Sequence, residues 1–376
     1  VNGDGKSDII TVNPNNSEID VTLAKHDGTG FEPSALWKSG LGDGKGNKYK
    51  FEDVNGDGKA DLLYFRAYGE QQQLLNTVCL SDGSLFGNCT NINAPNELGG
   101  SQLRLYNLAD ITGDGKKEII HLDSSRQEVN VSPSACSEHS VSFNPYATLL
   151  RFGWGDFGGY FYADFDGDGK ADVSYLDFIS VRCAYWQGVH YFEGVFYVKT
   201  SNGAMNYWAI MGNGHPWAYR IADFNGDGKS DVLSMDLYYD SLFIGLSTGK
   251  SFVDSNGSQQ MILDISIDEY YSVLNPGFFW GDLGHPINRN IDMNRYHIGD
   301  FNGDGKADVL WIEPGNTIGN LYVALSNGSK FTSPTGELSW AANPASYKWG
   351  QLGDGGIVGR YRIGDFNGDG KSDILF

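Results

Sequence analysis

The sequence has no HExxH or other zinc-protease spacing, no run of Lys and Arg, and no apolar stretch of about 18 residues. The first absence leaves no zinc-protease signature. The second makes nucleic acid a poor partner, since phosphate binding relies on clustered basic residues. The third excludes a helix that spans or inserts into a bilayer. No signal peptide is visible; the chain starts inside a repeat and is expected to be a piece of a longer polypeptide. Cysteine is scarce, with four residues in 376. Cys79 and Cys89 flank an expected hairpin turn at 81–84 and are placed for a cross-hairpin disulfide, as an oxidising compartment permits. Cys136 and Cys183 fall in expected loops and read as free thiols. Sequons at Asn15, Asn88, Asn130, Asn256 and Asn327 matter only if the source glycosylates secreted proteins.

What the chain has in quantity is glycine, 51 residues, and acid, with a formal charge of -20. Both are concentrated in one motif. Asp-Phe-Asn-Gly-Asp-Gly-Lys-Ser-Asp at 365–373 recurs with small changes at 53–61, 110–118, 164–172, 223–231 and 300–308, and from its second position at 1–8. Starts lie about 53 to 77 residues apart, a period that means repeated supersecondary units.

Each copy alternates oxygen donors with residues that let the backbone curl. Position one, three, five and nine side chains and the position-seven carbonyl are expected to ligate Ca2+, a hard cation that takes six to eight oxygens. The expected ligands are Asn2, Asp4, Lys6 and Asp8 in the first copy and Asp53, Asn55, Asp57, Lys59 and Asp61 in the second. The third has Asp110, Thr112, Asp114, Lys116 and Glu118, and the fourth Asp164, Asp166, Asp168, Lys170 and Asp172. The fifth has Asp223, Asn225, Asp227, Lys229 and Asp231, and the sixth Asp300, Asn302, Asp304, Lys306 and Asp308. The seventh has Asp365, Asn367, Asp369, Lys371 and Asp373. Thr112 and Glu118 alter the third pocket and weaken it; the fourth is richest in acid. Up to seven bound Ca2+ would offset most of the negative charge. Absence of nitrogen and sulfur ligands disfavours zinc and copper, and the last acid at position nine, with no flanking helices, disfavours an EF-hand.

Short apolar, β-prone runs flank each loop, as in Arg-Tyr-Arg-Ile-Gly before Asp365 and Ile-Leu-Phe after Asp373, which reads as a hairpin whose turn binds metal. A second hairpin recurs at 321–331, 242–252 and 19–31. Trp-Gly-x-x-Gly recurs at Trp154, Trp280 and Trp349, where a packing role is expected. Each unit therefore holds four strands, the composition of a propeller blade. On these loops and strands the chain resembles FG-GAP or VCBS-type repeats, related to the head of integrin α subunits. The resemblance covers essentially all of 1–376 and implies an all-β fold, a single seven-bladed β-propeller with Ca2+ loops and incomplete terminal blades. A six-bladed ring, with the C-terminal strand completing the first blade, would leave two loops competing for one position.

The resemblance further implies that the face opposite the calcium loops carries binding. Two irregular insertions map there, 177–194 and 264–294, supplying Tyr185, Trp186, Tyr191, Tyr270 and Tyr271 as candidate ligand-binding aromatics. The aromatics suit a glycan or a protein partner. Gly-Leu-Ser-Thr-Gly at 245–249 matches a nucleophile-elbow pattern but sits where other units carry a turn. The remaining carboxylates belong almost entirely to the loops, which would keep them ionised for metal. The expected function is a calcium-stabilised recognition or adhesion module, secreted or on the cell surface, without catalytic residues. The alternatives are a structural propeller of a secreted Tc- or Rhs-type toxin assembly and a polysaccharide lyase.

Overall fold

The run after each loop, such as Val309, Leu310, Trp311 and Ile312, is continuously apolar. Strands with both faces covered read this way. In the computed structural model, which describes residues 1–42, 44, 48–65, 75–93, 106–123, 128–145, 147–151, 159–182, 190–211, 218–235, 241–257, 279–282, 293–313, 315, 318–336, 344–353 and 360–376, these runs are the second strands of antiparallel sheets.

The architecture is an all-β propeller of four-stranded blades. The second blade pairs Tyr49–Glu52, Asp61–Tyr64, Leu75–Ser81 and Phe86–Asn93 in chain order. The third pairs Tyr106–Ala109, Glu118–Asp123, Glu128–Ser132 and Ala147–Arg151; the fourth pairs Tyr160–Ala163, Asp172–Arg182, His190–Lys199 and Met205–Met211. In the fifth, Tyr219–Ala222, Asp231–Met235 and Ser241–Ser247 are followed by Phe252–Val253 and Phe279–Asp282, both paired with the third strand. The sixth repeats this with Tyr296–Gly299, Asp308–Glu313, Ile318–Ser326, Phe331–Thr332 and Lys348–Gly353. The first has three strands, Ile9–Val12, Ile19–Thr22 and Ala35–Lys38.

Among the described residues there are six blades, not the seven expected from seven motif copies. The seventh motif joins the two strands Arg362–Gly364 and Asp373–Leu375, which form a two-stranded sheet of their own. The described residues contain no α-helix, only 3-10 turns at Met293–Arg295 and Pro344–Tyr347. They form two compact units, 1–155 with 365–368, and 156–364 with 369–376.

The core lies between neighbouring sheets. Val309 and Trp311 pack with Leu233 and Met235 of the fifth blade, whereas Leu310 and Ile312 pack with Tyr361, Ile363 and Ile374 of the terminal hairpin. In the first unit, Leu62 and Tyr64 pack with Ile19 and Val21, and Leu63 and Phe65 with Ile119. Period-two geometry sends alternate side chains of one strand into two different interfaces. Six tyrosines recur four residues before position one: Tyr49, Tyr106, Tyr160, Tyr219, Tyr296 and Tyr361. Several meet an aromatic on the adjacent strand, as Tyr49 does Tyr64 at 4.9 Å and Tyr160 does Tyr175 at 5.1 Å.

Where the expected insertion at 177–194 is described, at 177–182 and 190–194, it is strand. Asp172–Arg182 and His190–Lys199 pair from Val173 with Lys199 to Arg182 with His190, an unusually long hairpin for this chain. Cys79 and Cys89 form the expected disulfide, at a register shift between Val78 and Leu80. Cys136 is a buried free thiol. Asn15, Asn88, Asn256 and Asn327 are exposed, but Asn130 is buried in a strand and closed to glycosylation in the folded state.

Candidate cation loops

Every motif copy lies in a described segment; the six complete ones each join a first to a second strand, and the first precedes Ile9–Val12. The curl depends on glycine at positions four and six, which adopt φ of +78° and +82° in the second loop and +82° and +81° in the sixth. L-residues pay roughly 1–2 kcal/mol for such a conformation. Position one then closes the loop from inside. In the second copy Asp53 accepts from Gly56 N–H at 2.6 Å and Gly58 N–H at 2.8 Å, and Asp57 accepts from Lys59 N–H at 2.9 Å. The same bonds recur at Asp110, Asp164, Asp223 and Asp300.

Position nine faces inward. Asp61 accepts from Val54 N–H at 3.1 Å and from Ser81 N–H of the second hairpin at 2.8 Å. Asp231 and Asp308 repeat this with Phe224 and Ser247 and with Phe301 and Ser326. Asp8 does so with Val1 and Ala24. Burial pushes Asp61, Asp172, Asp231 and Asp308 up to about 7 against these bonds. Without a cation the charge at position nine is disfavoured, and a bound cation would compensate it.

The loops differ at position five. Asp57, Asp227 and Asp304 each bind the ammonium of the position-seven lysine at 3.0 Å. In the third loop Lys116 reaches the Cys136 carbonyl instead, and in the fourth Asp168 accepts from Ser201 Oγ. In these two loops three acids converge: Asp110, Asp114 and Glu118, and Asp164, Asp166 and Asp172, each set with oxygens within 4.8 Å of one another. These clusters could hold a metal ion. The third loop, expected to be weakened, is thus among the best assembled, because the longer Glu118 reaches inward and Lys116 leaves Asp114 alone. The donor set is entirely oxygen, which fits a hard cation.

Sequence reading missed the serines of the second hairpin. Ser81 Oγ donates to the Val1 carbonyl at 3.0 Å, Ser134 to Val54 at 2.6 Å, Ser247 to Phe165 at 2.5 Å and Ser326 to Phe224 at 2.5 Å. Each acceptor is position two of the preceding loop. The recurrence of Leu-Ser-x-Gly at 80–83, 246–249 and 325–328 was the available signal. Ser247, in the elbow-like sequence, is a buried latch in a turn, accepting from Gly249 N–H.

Of the candidate aromatics, Tyr185, Trp186, Tyr270 and Tyr271 lie outside the described residues, as do Cys183 and Trp154; Tyr191 lies in the strand His190–Lys199. Trp280 is core, against Phe331 at 5.4 Å, whereas Trp349 is 45% exposed and meets Phe301 edge-on.

Residues 1–64 and 300–376 match the family model of the FG-GAP-like repeat. These two segments carry FG-GAP-like repeats. No curated protein sequence matches it. Among solved structures it is similar to the Photorhabdus luminescens Tc holotoxin pore, at 16% identity and TM-score 0.49 over 88% of this chain and 14% of that one. It is also similar to the exotype rhamnogalacturonan lyase YesX, at 14% identity and TM-score 0.41 over 86% of this chain and 61% of that one. A Bacillus licheniformis rhamnogalacturonan lyase shares 13% identity, TM-score 0.38, over 88% and 55%. The chain thus spans less than two thirds of each of these structures. Among the described residues no helix is long and apolar enough to cross a membrane.

Proposed function

We propose that the FG-GAP-like loops hold Ca2+ as a structural ion and that the braced blades form a non-catalytic recognition module for a glycan or protein. The carrying observation is the inward convergence of acidic oxygens in loops whose position-nine carboxylate is buried, an arrangement that a divalent oxygen-seeking cation completes. Bound Ca2+ supplies positive charge there; the chain's own residues supply the curl and the donors. The disulfide between Cys79 and Cys89 supports an extracellular or cell-surface setting, where calcium is plentiful.

The binding face is assigned to the strand ends remote from the loops. There Glu313, Asn320 and Gln351 form a cross-strand row, with Asn320 donating to Glu313 at 2.6 Å and Gln351 donating to Asn320 at 2.9 Å. Tyr322, stacked on Trp311 at 5.2 Å, donates to Glu313 at 3.0 Å. Amide, carboxyl and aromatic groups side by side suit sugar hydroxyls or a polar protein surface.

Chelation is expected to lower the melting temperature markedly, and added Ca2+ to restore it by linkage. An unchanged melt after verified metal removal contradicts the structural-calcium reading. For the face, Gln351→Ala is expected to abolish a hit on a glycan array without changing the melt; a hit that persists places binding elsewhere.

A further inference from the structure

The loops are not self-contained. In the second unit, Ser230 N–H donates to the Asp164 carbonyl at 2.7 Å, Ala307 N–H to Asp223 at 2.8 Å and Ser372 N–H to Asp300 at 2.6 Å. Each bond runs from position eight of one loop to position one of the loop before it. In the first unit Lys117 makes it to Asp53 at 3.0 Å and Ser7 to Asp365 at 2.7 Å. The second-hairpin serines hold the next residue, position two, by its carbonyl.

Packing follows the same direction. A Cβ on the position-four glycine would meet the next loop's lysine stem: Gly167 against Lys229 at 3.1 Å and Gly226 against Lys306 at 3.2 Å, with Gly368 against Lys6 in the first unit. The position-two aromatic meets the phenylalanine that follows the next blade's second hairpin, as in Phe165 with Phe252 at 5.8 Å, Phe224 with Phe331 at 6.0 Å and Phe366 with Phe31 at 5.7 Å. Positions one, two and four of a loop are therefore fixed by residues of the following blade, and position one is an expected ligand.

We infer that, within each compact unit, a cation loop is completed by the blade after it, so that Ser81, Ser134, Ser247 and Ser326 are positioning residues for the preceding loop and neighbouring loops of a unit load with positive coupling. This rests on the calcium reading above. A cation that orders loop four orders the surface on which Ser247, Lys229 and loop five rest, and by reciprocity loop five raises affinity at loop four.

The test is a Ca2+ titration of the full chain followed through the amide resonances of Gly167 and Gly169 in loop four and Gly303 and Gly305 in loop six. Ser247→Ala removes a hydroxyl that touches no ligand side chain and keeps the Ser247 N–H bond to Asp231 of loop five. It is expected to raise the loop-four midpoint by roughly fivefold or more, within the usual span of coupling between sites, with a smaller change at loop six. The unmodified chain is expected to show a Hill coefficient above one, a readout that needs no variant to fold. A coefficient of one, or an unmoved loop-four midpoint in Ser247→Ala, overturns the coupling while leaving calcium binding intact. Equal shifts at both loops also overturn it, since they report general destabilisation. A chain that takes up no Ca2+ overturns both readings.

Discussion

Loops two, five and six share one sequence pattern with loop four, yet the former pair lysine with the position-five aspartate and the latter does not. Hydrogen bonds from Lys59 and Lys306 outweigh burial and hold Asp57 and Asp304 below the usual carboxylate range. In loop four, burial and the charge of Asp168 push up Asp166, a position-three acid where loops two, five and six carry asparagine. The lysine thus stands in for a cation in one set, while in the other the acids crowd together with like charges uncompensated. A cation entering loops two, five or six would displace an ammonium, whereas one entering loops three or four would not. The ion pairs are part-exposed and worth at most about 1 kcal/mol each, so the contrast grades affinity between loops without abolishing it in any.

The largest effect should come from what both sets share. Asp61, Asp231 and Asp308 in one set and Asp172 in the other are all raised to about 7 by burial. A carboxyl whose folded value exceeds its unfolded one, near 4, binds its proton more tightly when folded. Metal-free protein is then most stable below about pH 4 with respect to these groups, and loses that stability as pH rises toward 7. Thermal melts in chelator should fall by many degrees between pH 5 and pH 8, and Ca2+ should remove most of that fall. A chelated melt that rises over the same interval contradicts the buried-acid account for both sets.

A smaller effect separates the lysine's stem from its head. Gly226→Ala incurs positive-φ strain and presses on the Lys306 stem at 3.2 Å, whereas Gly228→Ala, at φ +82°, enters open space. Strain alone costs roughly 1–2 kcal/mol. Denaturant unfolding should show Gly226→Ala as the more destabilised of the two; equal losses would mean that the stem contributes nothing. The smallest effect sharpens the comparison itself. Lys229→Met keeps an apolar stem and removes the ammonium, so Ca2+ affinity at loop five should rise by up to about fivefold, the equivalent of one exposed ion pair. Lys170→Met in loop four should leave affinity unchanged, and matched responses would erase the distinction between the sets.

Local geometry was legible in the sequence and inter-blade geometry was not. Paired glycines at fixed spacing dictated the positive-φ curl, apolar runs dictated the strands, and Cys79 and Cys89 astride a turn dictated the disulfide. The position-two latches join residues 80 to 102 positions apart, such as Ser81 with Val1 and Ser326 with Phe224, and no local propensity encodes such a contact. The blade count failed for a related reason. A motif marks where a hairpin starts, and counting motifs counted the terminal hairpin as a blade, whereas it forms a two-stranded sheet of its own. What the sequence did not show at loop three is that Glu118 converges with Asp110 and Asp114 and that Lys116 is diverted to Cys136, because both depend on side-chain reach across the fold.

The central claim is most directly tested by equilibrium dialysis of the unmodified chain against Ca2+ with the bound metal quantified. The account predicts several ions per chain, approaching one for each of the seven loops at extracellular calcium, with loops three and four among those filled. No bound calcium above the dialysate from folded protein would contradict it.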